Sequence, residues 1–136
     1  MRAVLDPNVI ISGLLSPSGN AAWLLQAWER GEFELIVSAG LLAELERALA
    51  YPKLRRRVTE DEAREVLQWL SQPGTIAIDP NAPPPGRSAD PGDDYLIALA
   101  ASERAILVSG DKDLLNLGEE IPVVSPLRFR ERLSDG

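Results

Sequence analysis

Short apolar runs, each ended by a turn residue and followed by a helical pattern, recur along the whole chain. Ala3-Val4-Leu5 stops at Asp6-Pro7, and residues 33–37 stop at Ser38. Residues 75–78 stop at Asp79-Pro80, residues 105–109 at Gly110-Asp111, and Val123-Val124 precedes the last helical stretch. Between these runs apolar residues return at helical spacing over 8–15, 20–30, 38–51, 59–71, 91–103 and 127–133. Gly31 closes the second of these helices, Ser38 caps the third, and Thr59-Glu60-Asp61-Glu62 opens the fourth as a capping box. Strands alternating with helices predict an α/β fold, a parallel β-sheet of about five short strands flanked by helices. With 136 residues and no internal repeat, the chain is expected to be a single domain, 1–136.

Composition narrows the chemistry. There is no Cys and no His, which excludes thiolate nucleophiles, Cys/His zinc sites and any imidazole base. Catalysis is left to carboxylates, hydroxyls, Lys, Arg, or a metal held by oxygen. No apolar run reaches about 18 residues, so no membrane span is expected. The opening Met1-Arg2-Ala3-Val4-Leu5-Asp6 meets a carboxylate too early for a signal peptide, so a cytoplasmic protein is expected. With 14 Lys+Arg against 21 Asp+Glu, the net charge of −7 argues against coating nucleic acid nonspecifically. Local basic strips remain, at Lys53-Leu54-Arg55-Arg56-Arg57 and at Arg128, Arg130 and Arg132; either serves equally as a solvated helix face.

Four acids stand at chosen places. Asp6 directly follows the first strand, and Asp111 follows the fourth. In an open parallel sheet the loops at the carboxyl ends of strands share one edge, where ligands bind. The plainer alternatives are a turn before Pro7 and a helix cap before Leu114-Leu115. Asp113 reads as a surface residue. Asp90 and Asp93 read as capping acids around Pro91, at the first turn of the helix. Asp94 differs, because Ile97, Ala98 and Ala101 lie at i+3, i+4 and i+7, which sets it on the apolar stripe. Glu44 rides the edge of a similar stripe, with Leu41 at i−3 and Ala48 at i+4, while Glu46 and Arg47 point elsewhere. Four converging acids repel one another unless a cation sits among them, and oxygen donors suit Mg2+ or Mn2+. Asn8 and Ser12, one helical turn apart, add neutral contacts. Such a site in a small α/β domain points first to phosphoryl chemistry.

The order Val4-Leu5-Asp6-x-Asn8, then Glu44 after Ser38, then Asp94-Tyr95-Leu96-Ile97-Ala98-Leu99-Ala100-Ala101, then Leu107-Val108-Ser109-Gly110-Asp111 resembles the PIN domain. Asp90-Pro91-Gly92-Asp93-Asp94 and Gly110-Asp111-Lys112-Asp113-Leu114-Leu115 are similar to the toxin branch of toxin–antitoxin modules. The resemblance runs from Leu5 to about Val124. It implies a Rossmann-like sheet between helices and metal-dependent endonuclease cleavage of single-stranded RNA. It also implies catalytic roles for Asp6, Glu44, Asp94 and Asp111. Asp6, Asp94 and Asp111 would hold the metal, with Asn8, Ser12, Ser109 and Asp113 in support. The implied reaction is in-line attack by a metal-activated water, giving a 5′-phosphate and a 3′-hydroxyl. Lys53, Arg55, Arg56 and Lys112 would meet the RNA backbone. The family further implies a homodimer and an antitoxin protein partner. Pro7 departs from the small hydroxyl residue usual after the first Asp and removes a backbone amide there.

Three other readings compete. A haloacid-dehalogenase-like phosphotransferase needs a second acid two residues after the first, where this chain has Asn8. A response-regulator domain needs its Asp after the third strand, and Asp79 there runs into a proline-rich loop. A catalytically silent PIN-like module, binding RNA or a protein, is the rival from another class. Trp23, Trp28 and Trp69 default to core packing, and an exposed one would suit a partner interface.

Overall fold

The computed structural model describes residues 1–72, 76–80, 93–118 and 121–135. Its elements are β1 (Arg2–Leu5), α1 (Pro7–Leu15), α2 (Asn20–Glu29), β2 (Glu34–Leu35), β3 (Val37–Ser38), α3 (Ala39–Leu49) and α4 (Pro52–Arg55). They continue with α5 (Glu60–Leu70), β4 (Ile76–Ala77), α6 (Asp94–Ser102), β5 (Ile106–Val108), α7 (Lys112–Leu115), β6 (Val123–Val124) and α8 (Pro126–Asp135).

The sheet is parallel, as the alternation predicts, but it is divided. β2-β1-β5-β6 form a four-stranded sheet, and β3-β4 form a separate pair. The apolar run 33–37 therefore serves two partners. Glu34 and Leu35 lie beside β1, and the Ile36 amide still donates to the Ala3 carbonyl at 2.8 Å. Val37 and Ser38 then turn to pair with Ile76 and Ala77. Among the described residues there are six strands rather than about five. The proline-rich segment and the expected Asp90 cap lie outside the described residues.

Local signals act where they were read. Ser38 Oγ accepts from the Leu41 amide at 3.2 Å and opens α3. Thr59 and Glu62 exchange both bonds of a capping box at 3.1 and 3.0 Å. Gly31 adopts φ +78°, which an L side chain resists, and the Gly31 and Glu32 amides turn back onto Trp28 and Ala27 to close α2.

The core gathers fully buried side chains from every layer, among them Leu5, Leu24, Leu35, Leu45, Leu96 and Ile97. Phe33 meets Phe129 edge-on at 5.2 Å. α1 lies close on α2 at Gly13, where an added Cβ would stand 2.7 Å from Leu25 Cδ1. α6 packs against β1 and β5, so the segment beginning at Asp94 belongs to the centre of the sheet. The three tryptophans pack partly buried against the core. Trp28 contacts Trp69 at 4.8 Å, and Trp23 lies under Arg30 and Arg130. No helix among the described residues is long and apolar enough to cross a membrane.

Candidate active site

The β1–β5 ladder builds the site. Leu5 pairs with Val108, and the Asp6 amide donates to the Val108 carbonyl at 2.9 Å. The next residue on each strand is therefore polar and stands at the same edge. Asp6 is 4% exposed and Ser109 is fully buried. A carboxylate so placed needs partners for its charge. It has them: Ser109 Oγ donates to Asp6 Oδ2 at 2.8 Å, and the Asn8 amide donates to Asp6 Oδ1 at 3.0 Å.

Asp6 thus caps α1 while its other oxygen faces β5. Pro7 takes the first helical position, where an amide has no partner within the helix, so its missing N–H removes nothing the cap uses. On the other strand, the Ser109 hydroxyl accepts from the Asp111 amide at 3.0 Å. Asp111 caps α7 by accepting from the Asp113 amide at 2.9 Å. The cap reading of Asp111 and the edge reading therefore hold together. One serine hydroxyl links the two acid-bearing turns.

Asp6 and Asp111 share a cavity of about 450 Å3 with Asn8, Ser12, Gly110 and Pro126. Burial pushes the Asp6 carboxyl above its ordinary value. The Asn8 and Ser109 hydrogen bonds oppose that, while the charges of Asp111 and then Glu44 raise it further.

A second cavity of about 250 Å3 holds Glu44, Arg47, Asp79, Tyr95 and Gly40. Glu44 is exposed and accepts from Arg47 at 3.0 Å, so Arg47 shares its helix face rather than pointing elsewhere. Asp79 accepts from the Gly40 amide at 2.8 Å, and a Cβ on Gly40 would come within 3.0 Å of the same carboxylate. Tyr95 follows Asp94 in α6. Burial first, then the charges of Glu44, Asp6, Asp93 and Asp79, hold its hydroxyl far above the ordinary tyrosine range. Neither Asp79 nor Tyr95 stood out as a site residue in the sequence. The only hints were an acid closing the third apolar run and an aromatic beside Asp94.

Asp94 is half-buried at the start of α6, less enclosed than its spacing suggested, because Ala101 of the expected stripe is exposed. Among the described residues no group of three acids is placed as a ready-made metal cage; Asp6 and Asp111 meet in one cavity, and Asp6 also senses the charge of Glu44. Asp6 and Asp111 each commit an oxygen to a helix cap, and Glu44 is ion-paired. Asp113, Lys112, Lys53 and Arg56 are exposed. Arg55 turns into a separate cavity of about 170 Å3 between α3 and α5, with Glu46, Glu60 and Arg64, and that cavity contains neither Asp6 nor Asp111.

The donor set at the sheet edge consists of hard oxygens. Its central carboxylate is destabilised as an anion by burial and by two acidic neighbours. A hard divalent cation fits both features, since its charge would relieve both penalties.

A parallel α/β domain with an acid-lined carboxyl edge is the class these features define. A family model of the PIN domain matches residues 2–113, and the chain belongs to that family. PIN domains are generally nucleases and typically use divalent metal ions. An uncharacterized protein of Methanocaldococcus jannaschii is 31% identical over 121 residues, covering 88% of this chain and 77% of its own. Among solved structures, FitAcB from Neisseria gonorrhoeae matches with TM-score 0.59 at 20% identity, over 92% of this chain and 98% of that one. VapBC2 from Rickettsia felis, bound to a DNA fragment from its promoter, matches with TM-score 0.59 at 15% identity over the same shares. At these identities the likeness is one of fold.

Proposed function

We propose that the chain is an endoribonuclease of the cytoplasm, cutting single-stranded RNA with Mg2+ or Mn2+, and the toxin of a toxin–antitoxin pair. The observation that carries this reading is the Asp6–Ser109–Asp111 linkage, which aims two acid-bearing turns into one cavity at the sheet edge.

Asp6 and Asp111 would hold the ion from the cavity, with Asp94 as the third ligand from α6. An ion held by these residues would supply a water of lowered pKa and offset charge on a phosphodiester. The chain's own residues do the rest. Ser109 fixes the Asp6 carboxylate so that Oδ2 cannot rotate away, and Asn8 and Ser12 line the wall that receives the phosphate. Glu44, whose charge Asp6 senses, is the group to accept a proton. Lys53, Arg56 and Lys112 are exposed cations for the RNA backbone. The fold neighbours FitAcB and VapBC2 support an antitoxin partner for this chain, and a homodimer is part of the same proposal.

The test is cleavage of a mixed single-stranded RNA pool with Mn2+ or Mg2+, with chelator, and with Asp6→Asn. Metal-dependent cutting lost in the variant establishes the nuclease. A silent PIN-like module that binds RNA or protein is favoured by one observation, that no three described acids form a metal-binding group. No cutting and no calorimetric heat with Mn2+ would decide for that module.

A further inference from the structure

Two buried oxygen atoms belong to residues that line the cavity beside the acid pair, and neither has a hydrogen-bond partner among the described residues. They are Asp79 Oδ1 and the Tyr95 hydroxyl. Unpaired buried polar atoms are uncommon in folded chains and call for an explanation. The rest of the arrangement is firmly built. Asp79 is held by its other oxygen on the Gly40 amide, at an approach that only a glycine at position 40 allows without displacement. Tyr95 is fixed in α6, whose neighbouring side chains Leu96 and Ile97 are almost fully buried.

The two atoms ask for different things. A carboxylate oxygen only accepts, whereas a phenol hydroxyl donates one bond and can accept others. A group that satisfies both must donate to Asp79 and accept from Tyr95, and a hydroxyl does so from a single atom. Glu44 and Asp79 line the same cavity and disfavour a phosphate there. α6, which carries Tyr95, packs against β1, and Asp6 directly follows β1, so this cavity lies near the carboxylate at the sheet edge. A strand with its phosphate at Asp6 carries a sugar within a few bonds of that position.

The geometry points to this cavity as a ribose subsite, in which the 2′-hydroxyl donates to Asp79 Oδ1 and accepts from the Tyr95 hydroxyl. This inference rests on the nuclease reading and deepens it, since the 2′-hydroxyl is the group that distinguishes RNA from DNA at a single nucleotide. Base edges also pair donors with acceptors, but the sugar is the same at every nucleotide, so the subsite serves any sequence.

The experiment walks a single 2′-deoxynucleotide across the cleavage site of an RNA oligomer, using wild type, Tyr95→Phe and Asp79→Asn. Wild type is expected to lose on the order of tenfold or more in kcat/KM at one position only. Tyr95→Phe, which deletes one atom, slows the all-RNA oligomer by a similar factor and no longer responds to that deoxy position. Asp79→Asn keeps an acceptor for Gly40, turns an amide donor toward the cavity, and loses the same discrimination. Losses that simply multiply, or a loss that follows base replacement instead of sugar replacement, overturn the subsite.

If wild type cuts nothing, the nuclease reading fails separately. Fluorescence anisotropy with RNA and DNA of one sequence then decides the subsite. A wild-type preference for RNA that Tyr95→Phe abolishes supports it, and equal affinities overturn it.

Discussion

Asp6 and Ser109 are 103 residues apart in the chain and joined by a 2.8 Å hydrogen bond between buried side chains. The parallel register of β1 on β5 makes them neighbours, and the same hydroxyl accepts from the Asp111 amide. Fold and candidate chemistry meet in that one oxygen.

Ser109→Ala is therefore expected to do two separable things. It strands a buried carboxylate oxygen and a backbone amide, which costs about 1–3 kcal/mol in stability. It also frees the Asp6 carboxylate to turn, and loss of an orienting group behind a metal ligand typically costs about ten- to a hundredfold in affinity. Urea unfolding with chelator measures the first, and Mn2+ titration measures the second. An unchanged midpoint and an unchanged affinity would show that Ser109 organises nothing.

The raised pKa of Asp6 fixes the sign of a pH effect. In the folded chain without metal, Asp6 holds its proton to higher pH than its ordinary value of 3.8, chiefly because burial disfavours the anion. Between those two pKa values the folded state binds more protons than the unfolded one, so this group's contribution to stability falls as pH rises. It is fully present below the unfolded pKa and lost once pH passes the folded one. Asp6→Asn removes the effect. In chelator, the stability advantage of Asp6→Asn over wild type should be largest near neutral pH and shrink on acidification through the folded pKa. Urea melts of both proteins across pH check this, and a difference constant with pH would refute it. Bound metal reverses the trend, since protons and the ion compete for the same oxygens.

Pro7 gives a test of what the helix start needs. It occupies the first position of α1 and is buried, and the Asp6 cap reaches past it to the Asn8 amide. Pro7→Ser is expected to leave nuclease activity intact and to lower stability by about 0.4–1 kcal/mol, mainly by loosening the unfolded chain. Parallel cleavage assays and melts are the measurement. A large gain in activity would mean that the extra amide does face the site.

Much of this was legible from local chemistry. A strand end, a cap and a capping box depend on residues a few positions apart, so Asp6, Ser38, Thr59 and Gly31 declared themselves. Juxtaposing Asp6 with Asp111 needed only the rule that parallel strands share an edge. Pairings between distant segments were not legible. The run 33–37 gives no sign that its two ends serve different sheets. Asp79 meets Gly40 across 39 positions, and nothing near either residue marks the other. The apolar stripe behind Asp94 overstated its burial, because Leu96 to Ala100 is buried on all sides while Ala101 is exposed. Arg47 pairs with Glu44 at i+3, a spacing that admits ion pairs but does not require them.

Gly13 sets two opposing effects against each other. It lies inside α1, where Ala is favoured over Gly by about 1 kcal/mol in helix propensity. Its missing Cβ is also what lets α2 approach. An added methyl would lie 2.7 Å from Leu25 Cδ1 and 3.2 Å from the Ala21 backbone. Leu25 is buried and the Ala21 contact is with main chain, so neither can yield without moving α2. Overpacking of this kind costs about 1–3 kcal/mol and outweighs the propensity gain. Gly13→Ala should therefore destabilise the fold, and Gly13→Val should do so more. Because Ala21 also lines the cavity with Asp6, the shift of α2 should weaken Mn2+ binding in the same variants. A Gly13→Ala protein that melts higher than wild type would show that α1 and α2 have room to part.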